Sequence, residues 1–218
     1  MNYLIIENAL PAELIQTITA SIQAGPFESG KLTAQGMAKA AKSNLQLSST
    51  AHAQLLDSIR QALYVHPVVQ AFAIPRMIGR TIINRYEVGM EYGMHSDAAY
   101  IQDVRTDVSF TLFLDDPATY QGGELVIATT AQTFTFKLPA GSMLLYPSGE
   151  LHRVAPVTQG VRHAVVGWLQ SRIRNAHQRE LIAKLSLVPR TLRQDPQYSA
   201  LATQSEQCVQ ELIRMWGD

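Results

Sequence analysis

From Met77 to Gln170 the sequence reads as one short β-strand after another, with no helical periodicity between them. Met77 to Tyr86 is rich in Ile, Thr and Tyr. Asp107 to Leu114 carries Val-Ser-Phe-Thr-Leu-Phe-Leu and stops at Asp115-Asp116-Pro117, strong turn chemistry. Gly122-Gly123-Glu124 opens a strand from Leu125 to Thr129, and Thr133 to Leu138 alternates Phe134 and Phe136 against Thr and Lys. Ser142 to Tyr146 ends at Pro147-Ser148-Gly149. His152 to Val157 and Arg162 to Gln170 are joined by a turn at Gln159-Gly160. About seven or eight short strands with turn signals roughly every 8–12 residues are the pattern of an all-β sandwich or barrel. Helical patterns precede this run instead of alternating with it, which excludes a βαβ architecture.

Upstream, Tyr3 to Glu7 is β-prone. Residues 11–24 read as an amphipathic helix from Leu14, Ile15, Ile18 and Ile22, begun near Pro11 and stopped by Gly25-Pro26. Residues 27–50 have a weak pattern. Lys31, Lys39 and Lys42 with Gly30 and Gly36 suggest a mobile loop with a little helix, either a solvated connection or a lid. Residues 50–64 and Val68 to Ala73 read as helices separated by His66-Pro67. After Asn175 the helical period returns, at Arg179 to Leu187 and at Ser199 to Trp216, with Pro189 interrupting. The expected organisation is a helical region over 1–75 integral to a β domain, a β core over 76–174, and a helical appendage over 175–218.

Eighteen basic and eighteen acidic residues give zero formal net charge. A nucleic acid or an anionic membrane as main partner would demand a basic surplus. One cysteine, Cys208, allows no intramolecular disulfide and suits a reducing compartment. The first residues carry no basic n-region, and no apolar run approaches a bilayer span. The expected location is the cytoplasm.

Chemistry concentrates in Tyr86-Glu-Val-Gly-Met-Glu-Tyr-Gly-Met-His95-Ser-Asp97. His95 and Asp97, two positions apart at a strand end, share a face because side chains alternate along a strand. His152 begins a later strand. Two His and one Asp can occupy one face of an octahedral Fe(II) and leave open positions. A loop histidine beside a turn-forming aspartate is the plainer alternative. Arg162, flanked by Val161 and by Val165-Val166, is costly inside an apolar strand unless its charge is paired. A dicarboxylate would supply that partner bidentately, and the alternative is an arginine on a solvated face. Trp168 is either a pocket wall or an ordinary core residue. His163 should point away from Arg162. Asp115-Asp116 reads as a turn, and Arg172, Arg174 and Arg179 as a solvated face.

Tyr86-x-x-Gly89-x-x-Tyr92-x-x-His95-x-Asp97, Arg105-Thr106-Asp107, Gly122-Gly123-Glu124, Leu151-His152-Arg153-Val154 and Arg162 together resemble the prolyl 4-hydroxylase-like branch of the Fe(II)/2-oxoglutarate dioxygenases. More closely, the chain resembles the bacterial PKHD-type hydroxylases associated with iron-uptake loci, over nearly its whole length. The resemblance implies a mainly β fold with flanking helices, built on a double-stranded β-helix (jelly roll). It implies His95, Asp97 and His152 as iron ligands and Arg162 on the distal carboxylate of 2-oxoglutarate, with Tyr86 and Trp168 at the cosubstrate pocket. The implied cofactors are Fe(II), 2-oxoglutarate and O2, with ascorbate as supporting reductant. The implied reaction is hydroxylation of a small molecule or protein side chain, with succinate and CO2 as coproducts. Set against this is a jelly-roll protein that senses iron or a ligand without turnover. The helical tail is a candidate for building a homo-oligomer.

Overall fold

The computed structural model describes residues 3–33 and 40–218. Gly36 and Lys39, part of the expected loop, lie outside them. The main sheet has seven antiparallel strands in the order β1 (Leu4–Ile6), β13 (Met143–Pro147), β9 (Val108–Phe113), β16 (Arg162–Ser171), β5 (Pro75–Tyr86), β4 (Leu45–Leu47) and β2 (Phe27–Ser29). The second has five, β12 (Thr133–Phe136), β11 (Leu125–Ala128), β14 (Leu151–Val154), β6 (Glu91–His95) and β3 (Lys42–Ser43). Two short pairs complete the set: β7 (Tyr100–Ile101) with β8 (Val104–Arg105), and β10 (Gln121–Gly122) with β15 (Val157–Gln159). Strands distant in sequence pair within each sheet, and the two sheets stack, which is the jelly-roll arrangement.

The period of two along each strand sorts the main sheet into two faces. Val108, Phe110 and Leu112 of β9, Met143 and Leu145 of β13, and Val165 and Leu169 of β16 pack outward in one buried cluster. Helices cover that face. Ala12–Ala24 contributes Ile18 and Ile22, and Ala53–Val65 contributes Leu55, Leu56, Ile59 and Leu63. Each such side chain, fully buried, is worth about 1.5–3 kcal/mol. The alternate residues face the second sheet. Phe113, Leu144 and Tyr146 meet Leu125 and Ile127 there, while Tyr86 meets Val154 and Val157. The functional residues line the open end of this inter-sheet layer.

Among the described residues between 27 and 50, the chain forms more strand than the sequence suggests. Phe27–Ser29 and Leu45–Leu47 extend the main sheet beyond β5, and Lys42–Ser43 edges the second beside β6. Such short strands carry no period of their own; their partners impose the conformation. The run read as one strand from His152 to Val157 is split at Ala155-Pro156 into β14 and β15, since proline cannot donate to a ladder. The β7–β8 hairpin turns through Gln102 and Asp103, both at positive φ (50° and 62°) as a two-residue type I′ loop requires.

The C-terminal segment forms helices Ala176–Leu185, Leu187–Leu192 and Ser199–Trp216. Asn175 caps the first by accepting from the His177 and Gln178 amides. Pro189 falls within the first turn of the second helix, where its missing N–H costs little. These helices close a separate cluster of Ile173, Ile182 and Val209. Arg179 corrects the expectation of a solvated face. It is 6 % exposed, and its Nη1 donates to the carbonyls of Ile173 and Arg174 at the junction. Arg105 ties the tail to the β domain, with Nε on both Asp107 oxygens (2.9 and 3.1 Å) and Nη1 on Asp218 (2.6 Å).

Candidate active site

His95 and His152 are opposite each other on the paired strands β6 and β14. Asp97 follows His95 by two residues and leaves the strand. His95 Nε2 and His152 Nε2 lie 3.9 and 3.8 Å from the same Asp97 Oδ1, and one ligating atom from each residue falls within 4.8 Å of the others. All three side chains are more than nine-tenths buried.

Each imidazole is held from behind. His95 Nδ1 is 2.8 Å from the Gly93 carbonyl, and His152 Nδ1 is 2.9 Å from that of Glu150. A carbonyl only accepts, so Nδ1 carries the proton in both rings and the Nε2 lone pairs face the centre. The Tyr92 ring stacks on His95 at 3.7 Å, and Tyr146 meets His152 edge-on at 5.2 Å. Burial, then the nearby His152, pushes the pKa of His95 down to about 4, which favours the neutral ligand form. Asp97 Oδ2 accepts from the Ser109 hydroxyl at 2.6 Å, leaving Oδ1 to the centre. The Ser109 and Ser148 hydroxyls are 2.8 Å apart. Since Ser109 has one proton and gives it to the carboxylate, Ser148 donates in turn to Ser109.

Arg162 sits deeper in the same cavity, opposite Tyr86 across the β16–β5 pair and 1 % exposed. The Tyr86 and Phe113 rings lie 5.3 and 5.5 Å from its guanidinium carbon. Its Nε and Nη2 have no hydrogen-bond partner among the described residues. A buried guanidinium without an acceptor is expensive, and a carboxylate would satisfy both nitrogens as a fork. Tyr86 stays a neutral phenol, its pKa pushed up to about 12 by burial. Gly122 and Gly123 explain themselves here. Both have positive φ, and a Cβ at Gly123 would lie 2.8 Å from Arg162 Cδ.

The cavity holding these groups is about 370 Å3, and Trp168 is on its wall. The sequence reading missed Ser109, Thr111 and Ser148. Ser109 and Thr111 had a signal: they alternate with Val108, Phe110 and Leu112 on an otherwise apolar strand. Lys42 was placed in the loop; it is 6 % exposed, with Nζ 5.1 Å from the Tyr92 ring centre. His163 points away from Arg162 and pairs with Asp115, so Asp115 holds β16 as well as shaping its turn. Two imidazoles whose Nε2 atoms face the centre and a carboxylate fit a divalent first-row metal, and the orphaned guanidinium fits a carboxylate ligand beside it.

Residues 81–170 match the family model for the 2OG-Fe(II) oxygenase superfamily. A PKHD-type hydroxylase of Picosynechococcus sp. is 40% identical over 215 residues, 98% of either chain. A PKHD-type hydroxylase of Thermosynechococcus vestitus is 44% identical over 193 residues, 86% of either chain. Among solved structures, a prolyl-4-hydroxylase of Pseudomonas putida shares the fold with a TM-score of 0.57 at 20% identity, over 78% of this chain and 93% of its own.

Proposed function

The chain belongs to the 2OG-Fe(II) oxygenase superfamily and to its PKHD-type hydroxylases, and on that premise we propose that His95, Asp97 and His152 hold the iron and Arg162 holds the distal carboxylate of 2-oxoglutarate. The enzyme is an Fe(II)- and 2-oxoglutarate-dependent dioxygenase, for which ascorbate is the reductant typical of the family. Bound Fe(II) supplies the oxidising chemistry, in which O2 and 2-oxoglutarate yield succinate, CO2 and a hydroxylated C–H bond. The protein's own residues position and shield it. The Gly93 and Glu150 carbonyls keep both imidazoles in the ligating tautomer. Ser109 holds Asp97 so that one oxygen faces the metal. Arg162, braced by Tyr86 and Phe113, orients the cosubstrate along the cavity, and Trp168 walls it. Leu125 and Val154, on the cavity wall, keep water from the reacting centre.

The observation that carries this reading is the Arg162 guanidinium, buried with two nitrogens unsatisfied beside the His-Asp-His cluster. A sensor that merely bound iron would have no use for it. With Fe(II), ascorbate and air, the wild-type protein should slowly release CO2 from 1-labelled 2-oxoglutarate without added substrate, and Arg162→Ala should not at the same 2-oxoglutarate concentration. Equal release from both would sink the assignment of Arg162. The substrate is a small molecule or a protein side chain. The iron-uptake association implied by the resemblance makes iron starvation the growth condition in which to measure expression. A homo-oligomer through residues 175–218 is supported by exposed Leu187, Leu201 and Met215 on those helices. An unchanged elution volume on truncation near residue 174 would count against it.

A further inference from the structure

One buried amide on the cavity wall has its oxygen fully engaged and its nitrogen without an acceptor. Asn84 of β5 is 3 % exposed and lines the cavity. Its Oδ1 accepts from Asn44 Nδ2 and from Gln46 Nε2, both at 3.0 Å. A carbonyl oxygen has two lone pairs, so these two donors fill it and fix which way the amide is turned. The N–H groups of Nδ2 are therefore held out of the contact with Asn44 and Gln46. They make no hydrogen bond among the described residues. Unlike Nε and Nη2 of Arg162, Nδ2 is not sealed by packing, and the space it opens to is the cavity.

The strand registers say which part of the cavity this donor serves. Asn84 pairs with Ala164 and Tyr86 with Arg162, so Asn84 and Arg162 are diagonal neighbours on one face of the sheet. Such neighbours are about 7–8 Å apart, within reach of a long side chain. The methyl group of Ala164 is all that β16 puts between them. Ser109, which holds Asp97, pairs instead with Trp168, four residues along β16 from Ala164 and about 13 Å away at the usual rise. Asn84 is thus at the Arg162 end of the cavity, and the metal cluster lies beyond it. A carboxylate taken from water into this pocket needs its lone pairs met. It offers about four acceptor sites, and a guanidinium fork fills only two. Resting on the proposed iron and cosubstrate site, we infer that Asn84 is a further cosubstrate-binding residue, whose Nδ2 donates to the distal carboxylate of 2-oxoglutarate beside Arg162. Together the two side chains select a dicarboxylate over a 2-oxo acid with an apolar end. Asn44 and Gln46 act through Asn84 as positioning residues, which ties the β4 edge of the sheet to cosubstrate recognition.

The test compares two ligands on the anaerobic Fe(II)-loaded enzyme, by calorimetry and by the visible band of the chelate. One is 2-oxoglutarate. The other is 2-oxopentanoate, which has the same 2-oxo acid head and chain length but ends in a methyl group. Asn84→Ala should bind 2-oxoglutarate about tenfold or more weakly, the loss of a hydrogen bond to a charged group, and bind 2-oxopentanoate as wild type does. Asn84→Asp keeps an acceptor for Asn44 and Gln46 but exchanges the N–H donors for a carboxylate oxygen. It should lose more 2-oxoglutarate affinity than Asn84→Ala, because like charges repel and the new carboxylate competes for Arg162. Unchanged 2-oxoglutarate binding in either variant overturns the proposal. Equal weakening of both ligands in Asn84→Ala overturns it too, since that is the result of a disturbed β4–β5 contact and not of a lost donor. If wild type forms no chelate, or binds 2-oxopentanoate as tightly as 2-oxoglutarate, the assignment of the iron site or of Arg162 has failed first, and the two failures are distinguishable.

Discussion

Replacing Ser109 with alanine tests whether the proposed ligand Asp97 is held by the strand behind it. Ser109 is 1 % exposed on β9 and gives Asp97 Oδ2 a 2.6 Å hydrogen bond. Hydrogen bonds to a charged group contribute about 1.5–3 kcal/mol. Removing a partner behind a metal ligand usually lowers metal affinity about 10–100-fold, or roughly 1.4–2.7 kcal/mol. Those ranges overlap, so Ser109→Ala should raise the Fe(II) dissociation constant about 10–100-fold. Ser148→Ala should do much less. It removes only the 2.8 Å bond behind Ser109, and cooperative strengthening is about 10–30% per bond. Applied to about 1.5–3 kcal/mol, that is at most about 0.9 kcal/mol, a change under about fivefold. Anaerobic Fe(II) titration, with Co(II) as a redox-silent check, reads both. The reasoning is refuted if Ser109→Ala binds metal within twofold of wild type, or if Ser148→Ala is the more damaging of the two.

Gly123→Ala should displace Arg162, because its Cβ would sit 2.8 Å from Arg162 Cδ at a φ of +68°. A tenfold or greater rise in KM for 2-oxoglutarate is expected, about the loss of one charged hydrogen bond, with about 1–2 kcal/mol of lost stability from the left-handed backbone, read by steady-state kinetics and urea unfolding. Arg105→Met leaves the Asp107 carboxylate, 7 % exposed, without its guanidinium. Breaking a buried pair from one side costs about 3–5 kcal/mol, which thermal unfolding would show as a large fall in Tm. An unchanged Tm would mean that the Ser171 amide, 2.8 Å from Asp107 Oδ2, suffices alone.

The long strands were legible because each carries its own alternation. On β9 and β16 the sequence shows which residues share a face, and Arg162 stands out as a cation in an apolar run. His95-x-Asp97 was legible for the same reason, since a spacing of two on a strand end is a statement about geometry. The short strands at Phe27–Ser29, Lys42–Ser43 and Leu45–Leu47 were not, because two or three residues contain no period and their conformation comes from pairing across the fold. Lys42 was lost with them. The Gln102-Asp103 turn escaped notice because neither residue is a glycine, although both adopt positive φ. Arg179 looked like one of three tail arginines; only its position at the start of a helix against Ile173 and Arg174 makes it a buried donor.

The central claim is that His95, Asp97 and His152 hold Fe(II) beside a 2-oxoglutarate anchored by Arg162. Anaerobic addition of Fe(II) to the apoprotein with 2-oxoglutarate, followed by visible absorption, tests it most directly. A metal-to-ligand charge-transfer band should form in wild type, be lost in His152→Ala, and require far more 2-oxoglutarate in Arg162→Ala. Tight iron binding with no such band in wild type would contradict the account and leave a metal-binding protein without cosubstrate chemistry.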